Sequence, residues 1–385
     1  MKICLLVLNN FTNDARVHKE ASALAAAGHD VSVVALWQAG LARIEQQGGY
    51  SIFRIALKSR PWRNKLFSPP VKYLEFAWQV WQLFSREPAQ VYHANDANTL
   101  PAAWVVARRN HAKIVYDAHE LETGRNFGNS KFASIYRYMW AWPEKLFIRK
   151  AHTVFTVNNS IAAELKRIYR IPPPVVIMNC PDRHDIMKST RLRNELKIPD
   201  GLFICLYQGN ISSGRGIEPF FDAVQSLPNV GGVALGDGPM LETYRGLVES
   251  GRWQRVYLPG KVSLDELPYY TSSANLGLCL IEDIALSYRY SLPNKLFEYI
   301  QAHIPSICSN LPEMAEIIHI TKIGVVIETL DSQSIAEAIN TFITDPEFYA
   351  QCKENSIHAA GLYNWQNESQ KLLSAYDNLQ KTVST

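Results

Sequence analysis

The chain reads as two doubly wound α/β domains in tandem, each a parallel sheet with helices on both faces, and three observations predict it. At 385 residues it is too long for one ordinary core. Short β-branched apolar runs alternate with amphipathic helical stretches from the first residues onward, as strands do when crossover helices join them in parallel. The alternation breaks near Asn179–Asp200, behind Pro172, Pro173 and Pro174 and around the charged stretch Arg191–Lys197, and then restarts. These features predict a first domain over residues 1–182, a second over 183–362, and a closing helix over 363–385 that returns to the first domain.

Each element follows in order. Lys2–Leu8 is an apolar run stopped by Asn9 and Asn10, too short for a signal peptide and suited to a buried first strand. Asp14–Ala27 carries Val17, Ala21 and Leu24 at helical spacing, with Gly28 as its stop. Asp30–Leu36, Tyr50–Ala56, Val91–Ala94, Lys113–Tyr116 and Thr153–Val157 are the further strands of the first half. The second half has strand-like runs at Phe203–Tyr207, Val233–Leu235, Val256–Leu258, Leu276–Leu280, Ser306–Ser309 and Gly324–Ile327. Leu296–Gln301 and Ile335–Phe342 are among its helices, and Asn364–Leu379 is an amphipathic helix bearing Trp365, Leu372, Leu373 and Tyr376. Two such domains form a crevice at the carboxyl ends of their strands, where doubly wound folds bind ligands.

Composition narrows the class. With 47% apolar and 19% charged residues the chain is globular, and a net charge of only +3 argues against a dedicated nucleic-acid binder. The six cysteines (Cys4, Cys180, Cys205, Cys279, Cys308 and Cys352) show no metal-ligand spacing, and four lie in strand-like runs. Buried, reduced thiols and a cytoplasmic location are expected. No run approaches the ~18 apolar residues of a membrane span.

Four segments could carry chemistry. Tyr207–Gly216 follows the first strand of the second half and precedes a helix near Ile217; Gly209 and Gly216 allow close backbone approach, and Arg215 offers a planar fork to phosphate oxygens. A plain strand–helix turn with a solvated arginine is the other reading of that loop. Gly236-Asp-Gly-Pro239 is a second strand–turn–helix joint, with Pro239 suited to the first helical position. In Ser291–Tyr299, Pro293 falls in the first helical turn, so Asn294 and Lys295 sit at a helix N-terminus, and Glu298 lies one turn on among Leu296, Phe297 and Ile300. A carboxylate there needs partners, and ribose hydroxyls would serve, whereas a surface glutamate would merely stabilise the helix start. Finally, Val115–Glu120 ends a first-half strand with His119, flanked by Asp117 and Glu120, where an imidazole can donate to a sugar hydroxyl or a developing negative charge. His93, Asp96, Asp117 and His119 match no metal-ligand spacing.

Taken together, Asn13–Glu20, His93–Asp96 with Leu100, Tyr116–Glu120, Gly209–Gly216, Gly236–Pro239 and Leu292–Tyr299 resemble, in order and spacing, the GT-B glycosyltransferases and specifically the retaining family 4. The resemblance spans nearly the whole chain. It implies two Rossmann-like domains facing a cleft, the second holding a nucleotide diphosphate sugar as substrate, with no cofactor and no metal. It assigns ribose binding to Glu298, diphosphate binding to Arg215, and the first-domain active-site histidine to His119. Two positions depart from the family: Tyr290 stands where the first carboxylate of the glutamate pair belongs, and Asn210 where a loop arginine belongs. Arg289 and Lys295 are the nearby replacements for that charge. The expected function is sugar transfer to a saccharide or lipid-linked acceptor in cell-surface polysaccharide synthesis; an epimerase of the same architecture or a silent homologue acting as a partner subunit are the alternatives.

Two first-half segments bear on the acceptor. Lys58–Lys72 carries Lys58, Arg60, Arg63, Lys65 and Lys72 with Trp62 and Phe67 and no acidic residue, followed by Tyr73, Phe76, Trp78 and Trp81. Lys131–Lys150 mixes five basic residues with Phe132, Tyr136, Tyr138, Trp140, Trp142 and Phe147. Such mixtures suit the headgroup level of an anionic bilayer, which predicts peripheral contact with the inner membrane face.

Overall fold

The structure, a computed structural model, describes residues 1–60, 68–124, 141–183 and 188–381. The chain divides into two compact units: Met1–Asn179 joined by the residues from Glu368 onward, and Cys180–Asn367. Of the basic and aromatic residues named above, Trp62, Arg63, Lys65 and Phe67, and those from Lys131 to Trp140, lie outside the described residues.

The first unit is built on β1 (Lys2–Leu6), β2 (Asp30–Leu36), β3 (Ile44–Gln47), β4 (Tyr50–Ile55), β5 (Val91–Asn95), β6 (Lys113–Ala118), β7 (Thr153–Thr156) and β8 (Val175–Val176). They form one sheet in the order β3-β4-β2-β1-β5-β6-β7-β8. Every neighbouring pair is parallel except β3 with β4. The strand order reverses between β1 and β5. Central strands buried on both faces need continuous apolar side chains, which is why β1 and β2 were legible as unbroken runs. No sequence feature marks β3, an exposed polar edge strand reading Ile-Glu-Gln-Gln, or the two-residue β8 behind the prolines.

The second unit carries β9 (Phe203–Gln208), β10 (Val230–Leu235), β11 (Val256–Gly260), β12 (Leu276–Cys279), β13 (Ser306–Ser309) and β14 (Gly324–Ile327). All are parallel, in the order β11-β10-β9-β12-β13-β14, with the reversal between β9 and β12. β10 starts earlier than its apolar run because Gly231 and Gly232 belong to it; a Cβ on Gly232 would lie 2.8 Å from Val224 of the covering helix Ile217–Ser226. Pro239 does not open a helix: the helix runs over Leu241–Glu249 with Met240 as its N-cap. Pro293 likewise stands one place earlier than expected, as the N-cap of helix Asn294–Gln301.

The last helix, Trp365–Lys381, starts in the second unit, and from Glu368 its residues belong to the first. Its buried face carries Leu372, Tyr376 and Leu379, and the Tyr376 hydroxyl meets His93 Nδ1 at 2.9 Å. All six cysteines are buried free thiols. Among the described residues no helix is long and apolar enough to cross a membrane.

Candidate functional site

In a doubly wound sheet the loops that leave the two strands flanking the reversal diverge to opposite faces, and a crevice opens between them. In the second unit those strands are β9 and β12. The β9 loop is drawn against the β10 loop by its backbone: Gly209 N–H donates to Leu235 O at 2.8 Å and Ile211 N–H to Asp237 O at 2.8 Å. Gly236, with φ of 152°, is required there, because a Cβ on it would sit 1.8 Å from Gly209 O. Gly216, with φ of 59°, caps helix Ile217–Ser226, and its missing side chain admits Leu280 beyond β12. The glycines of both loops are therefore structural requirements of this crevice.

Two cations meet at this crevice. Lys295, second residue of its helix, is 8% exposed. Its ammonium lies 3.5 Å from the ring centroid of Tyr207, and a Cβ on Gly209 would be 3.5 Å from the same nitrogen. Burial lowers its pKa from 10.5 to about 7, helped by the nearby Arg215 charge and opposed by Glu298. Arg215 rests its guanidinium 4.9 Å over the Tyr288 ring, and among the described residues its buried Nε has no hydrogen-bond partner. Arg289 is exposed and pairs with Asp283 at 3.0 Å, whereas Lys295 lies against the β9 loop. Asn210 is exposed, bonded to Ser212 Oγ at 3.2 Å. Tyr290 closes the short helix Leu286–Arg289, half-buried, its N–H donating to Leu286 O at 3.0 Å, and Asn294 is the exposed first residue of its helix.

Glu298 is half-buried and accepts from the Gln208 side-chain amide. Gln208 in turn accepts from Thr271 Oγ1 at 2.9 Å. This chain of partners was not read from the sequence; its one signal is a polar residue ending an otherwise apolar strand just before Gly209.

The first unit gathers its own polar cluster at the ends of β5 and β6. His119 Nε2 is 2.9 Å from Asp117 Oδ2, and Nδ1 is 3.4 Å from Asp96 Oδ1. Asp117 is fully buried and takes a bidentate guanidinium from Arg16, at 2.7 and 3.0 Å. Burial alone would lower the His119 pKa, but Asp96 and then Asp117 outweigh it and raise it to about 10. Burial would raise Asp117, yet Arg16 and His119 hold it well below the usual carboxylate range. Asp96 holds a left-handed backbone, φ 67°, which a non-glycine residue adopts rarely. Arg16 and Glu20 were legible only as part of the quoted segment Asn13–Glu20, although two charges at i, i+4 beside the apolar face of Val17, Ala21 and Leu24 are the signal of a buried pair.

Glu20, His93 and Asp117 place one ligand atom each within 4.8 Å of one another. The donor set does not suit a cation, because Arg16 already faces both carboxylates at 3.2 and 2.7 Å.

Residues 14–181 match the glycosyl transferase 4-like domain and residues 188–359 match glycosyl transferases group 1. The chain is 26% identical over 227 residues to the α-D-kanosaminyltransferase of Streptomyces kanamyceticus, over 56% of this chain and 57% of that one, so the match spans little more than half of either protein. Its structure is similar to sucrose-phosphate synthase of Thermosynechococcus elongatus, with TM-score 0.81 and 20% identity over 99% of this chain and 100% of the other. It is also similar to Anabaena HepE in complex with UDP-glucose, with TM-score 0.75 and 15% identity over 98% and 100% of the two chains. The chain has the GT-B fold and is related to the glycosyltransferases that those two family models describe.

Proposed function

We propose that the chain is an active, metal-independent, retaining glycosyltransferase that carries a sugar from a nucleoside diphosphate to a saccharide or lipid-linked acceptor in polysaccharide synthesis. The observation that carries the reading is the β9 crevice, where Lys295 and Arg215 rest on aromatic rings instead of carboxylates, one turn from Glu298. A diphosphate would supply the missing anion, and Glu298, steadied by Gln208, would accept from ribose hydroxyls. That Anabaena HepE is described with UDP-glucose favours the same class of donor here. Retention follows if the leaving diphosphate accepts the acceptor's proton on the face it departs from; the protein then contributes positioning and stabilisation of the departing phosphate, with His119 on the acceptor side.

Calorimetric titration with nucleoside diphosphates and their sugars tests the donor. Binding by the intact chain and a loss of roughly 1–3 kcal/mol in Glu298→Ala is the expected result. Unchanged affinity in the variant removes Glu298 from the site, and activity that disappears with a chelator and returns with manganese removes metal independence.

The lipid-linked acceptor is favoured by helix Ser68–Leu83, where Val71, Leu74 and Trp78 are exposed at helical spacing while Tyr73 and Phe76 pack inward. Liposome co-sedimentation is expected to show binding to anionic vesicles that weakens in high salt. Equal, negligible binding to anionic and neutral vesicles would leave a soluble acceptor.

A further inference from the structure

A buried lysine without a carboxylate costs folding energy as an ammonium, and a protein normally escapes that cost by pairing the charge or releasing the proton. Lys295 is buried and, among the described residues, has no ion pair; its ammonium lies over the face of Tyr207. The groups that face it are Tyr207 from β9, Cys279 from β12, Cys308 from β13, Glu298 from its own helix, and Arg215 from the loop. Of these only Glu298 is a carboxylate, and Gln208 donates to it. Arg215 adds a second positive charge that repels the first. Above about pH 7 this setting favours the neutral amine, and an entering diphosphate, a strong anion, favours the ammonium.

We propose that the anion seat of the β9 crevice is completed by proton capture: Lys295 takes up a proton as the diphosphate of the donor enters, forming an ammonium–phosphate pair beside Arg215. This inference rests on the donor reading above. The proton comes from solvent and ends on Lys295 Nζ; no covalent bond to the donor forms or breaks. The displacement of its pKa to about 7 puts the capture within the working range of pH. Arg215, whose guanidinium cannot lose its proton there, supplies the constant part of the attraction.

Isothermal titration of the full chain with a nucleoside diphosphate sugar, at pH 8 in buffers of different ionisation enthalpy, counts the protons. A sugar diphosphate has no phosphate group titrating near neutrality, so uptake reports the protein. Uptake approaching one proton per site is expected, with affinity falling roughly tenfold between pH 7.5 and 8.5. Lys295→Arg, permanently charged, is expected to bind with no uptake and a flat pH profile, and Lys295→Met to bind weakly at every pH. Tight binding by the intact chain with no proton uptake overturns the inference and leaves the donor reading standing. No binding of any nucleoside diphosphate or its sugar overturns both. If Lys295→Arg melts early, the proton count in the intact chain decides alone.

Discussion

Glu20 and His119 lie in one cluster and respond to pH in the same direction. Burial, and then the nearby Asp117 charge, raise the Glu20 carboxyl from 4.5 to about 8. Between those values the folded chain holds a proton that the unfolded chain has released, so stability falls as pH rises through that window. His119 is raised from 6.5 to about 10, so its contribution is complete below about 6.5 and is lost as pH rises through 10. The thermal stability of the first unit is therefore expected to fall steadily from pH 6 to 10. Glu20→Gln should melt higher than the natural chain at pH 9, by on the order of 1–3 kcal/mol, and close to it at pH 5. A melting temperature flat over that range, or a variant equally altered at both pH values, contradicts the assignment. Glu298 and His119 were legible as candidates, because one lies a turn into a helix and the other just past a strand end. Their supports were not: Arg16 and Asp117 are 101 positions apart, and only the β1–β5–β6 order brings them together.

The two glycine loops work as one element. Each is shaped by the other, so a change in the β10 loop should be felt at the β9 loop without touching any group that faces a ligand. Gly236→Ala would drive a methyl into Gly209 O and hold a non-glycine residue at φ 152°. A loss of 1–3 kcal/mol of stability is the rough scale for such a backbone conflict, with nucleoside diphosphate affinity lost as well. The expected signature is that amide exchange rises along β9 and β10 while β1 and β5 keep their protection; an unaltered exchange pattern with normal binding would mean the loops are independent. Strands of this element class were easy to find where they are apolar throughout. The boundary of β10 was missed because its first residues are glycines kept small for Val224, and that pressure comes from a helix that only the fold identifies.

At the level of the molecule, the chain leaves the first unit after Asn179 and re-enters it at Glu368. Met178 N–H donates to the Glu368 carboxylate at 2.8 Å, within the first unit, while Trp365 N–H donates to Pro181 O at 2.8 Å, within the second. The amphipathic closing helix was visible in the sequence as Trp365, Leu372 and Tyr376 at helical spacing, but the register at which it changes units was not, since both of its halves have an apolar face. Tyr376 is fully buried and packs near His93 of β5 and Phe155 of β7. Tyr376→Ala is expected to cost about 3–5 kcal/mol and to raise amide exchange in β5 and β7, far from it in sequence. Exchange that rises in the second-unit strands instead would contradict this. The closing helix also fixes an order of events during synthesis. The strands beneath Tyr376 leave the ribosome well before it, and the side chain that seals them is translated only after the whole second unit, so β5 and β7 must wait, uncovered, until that unit has been made.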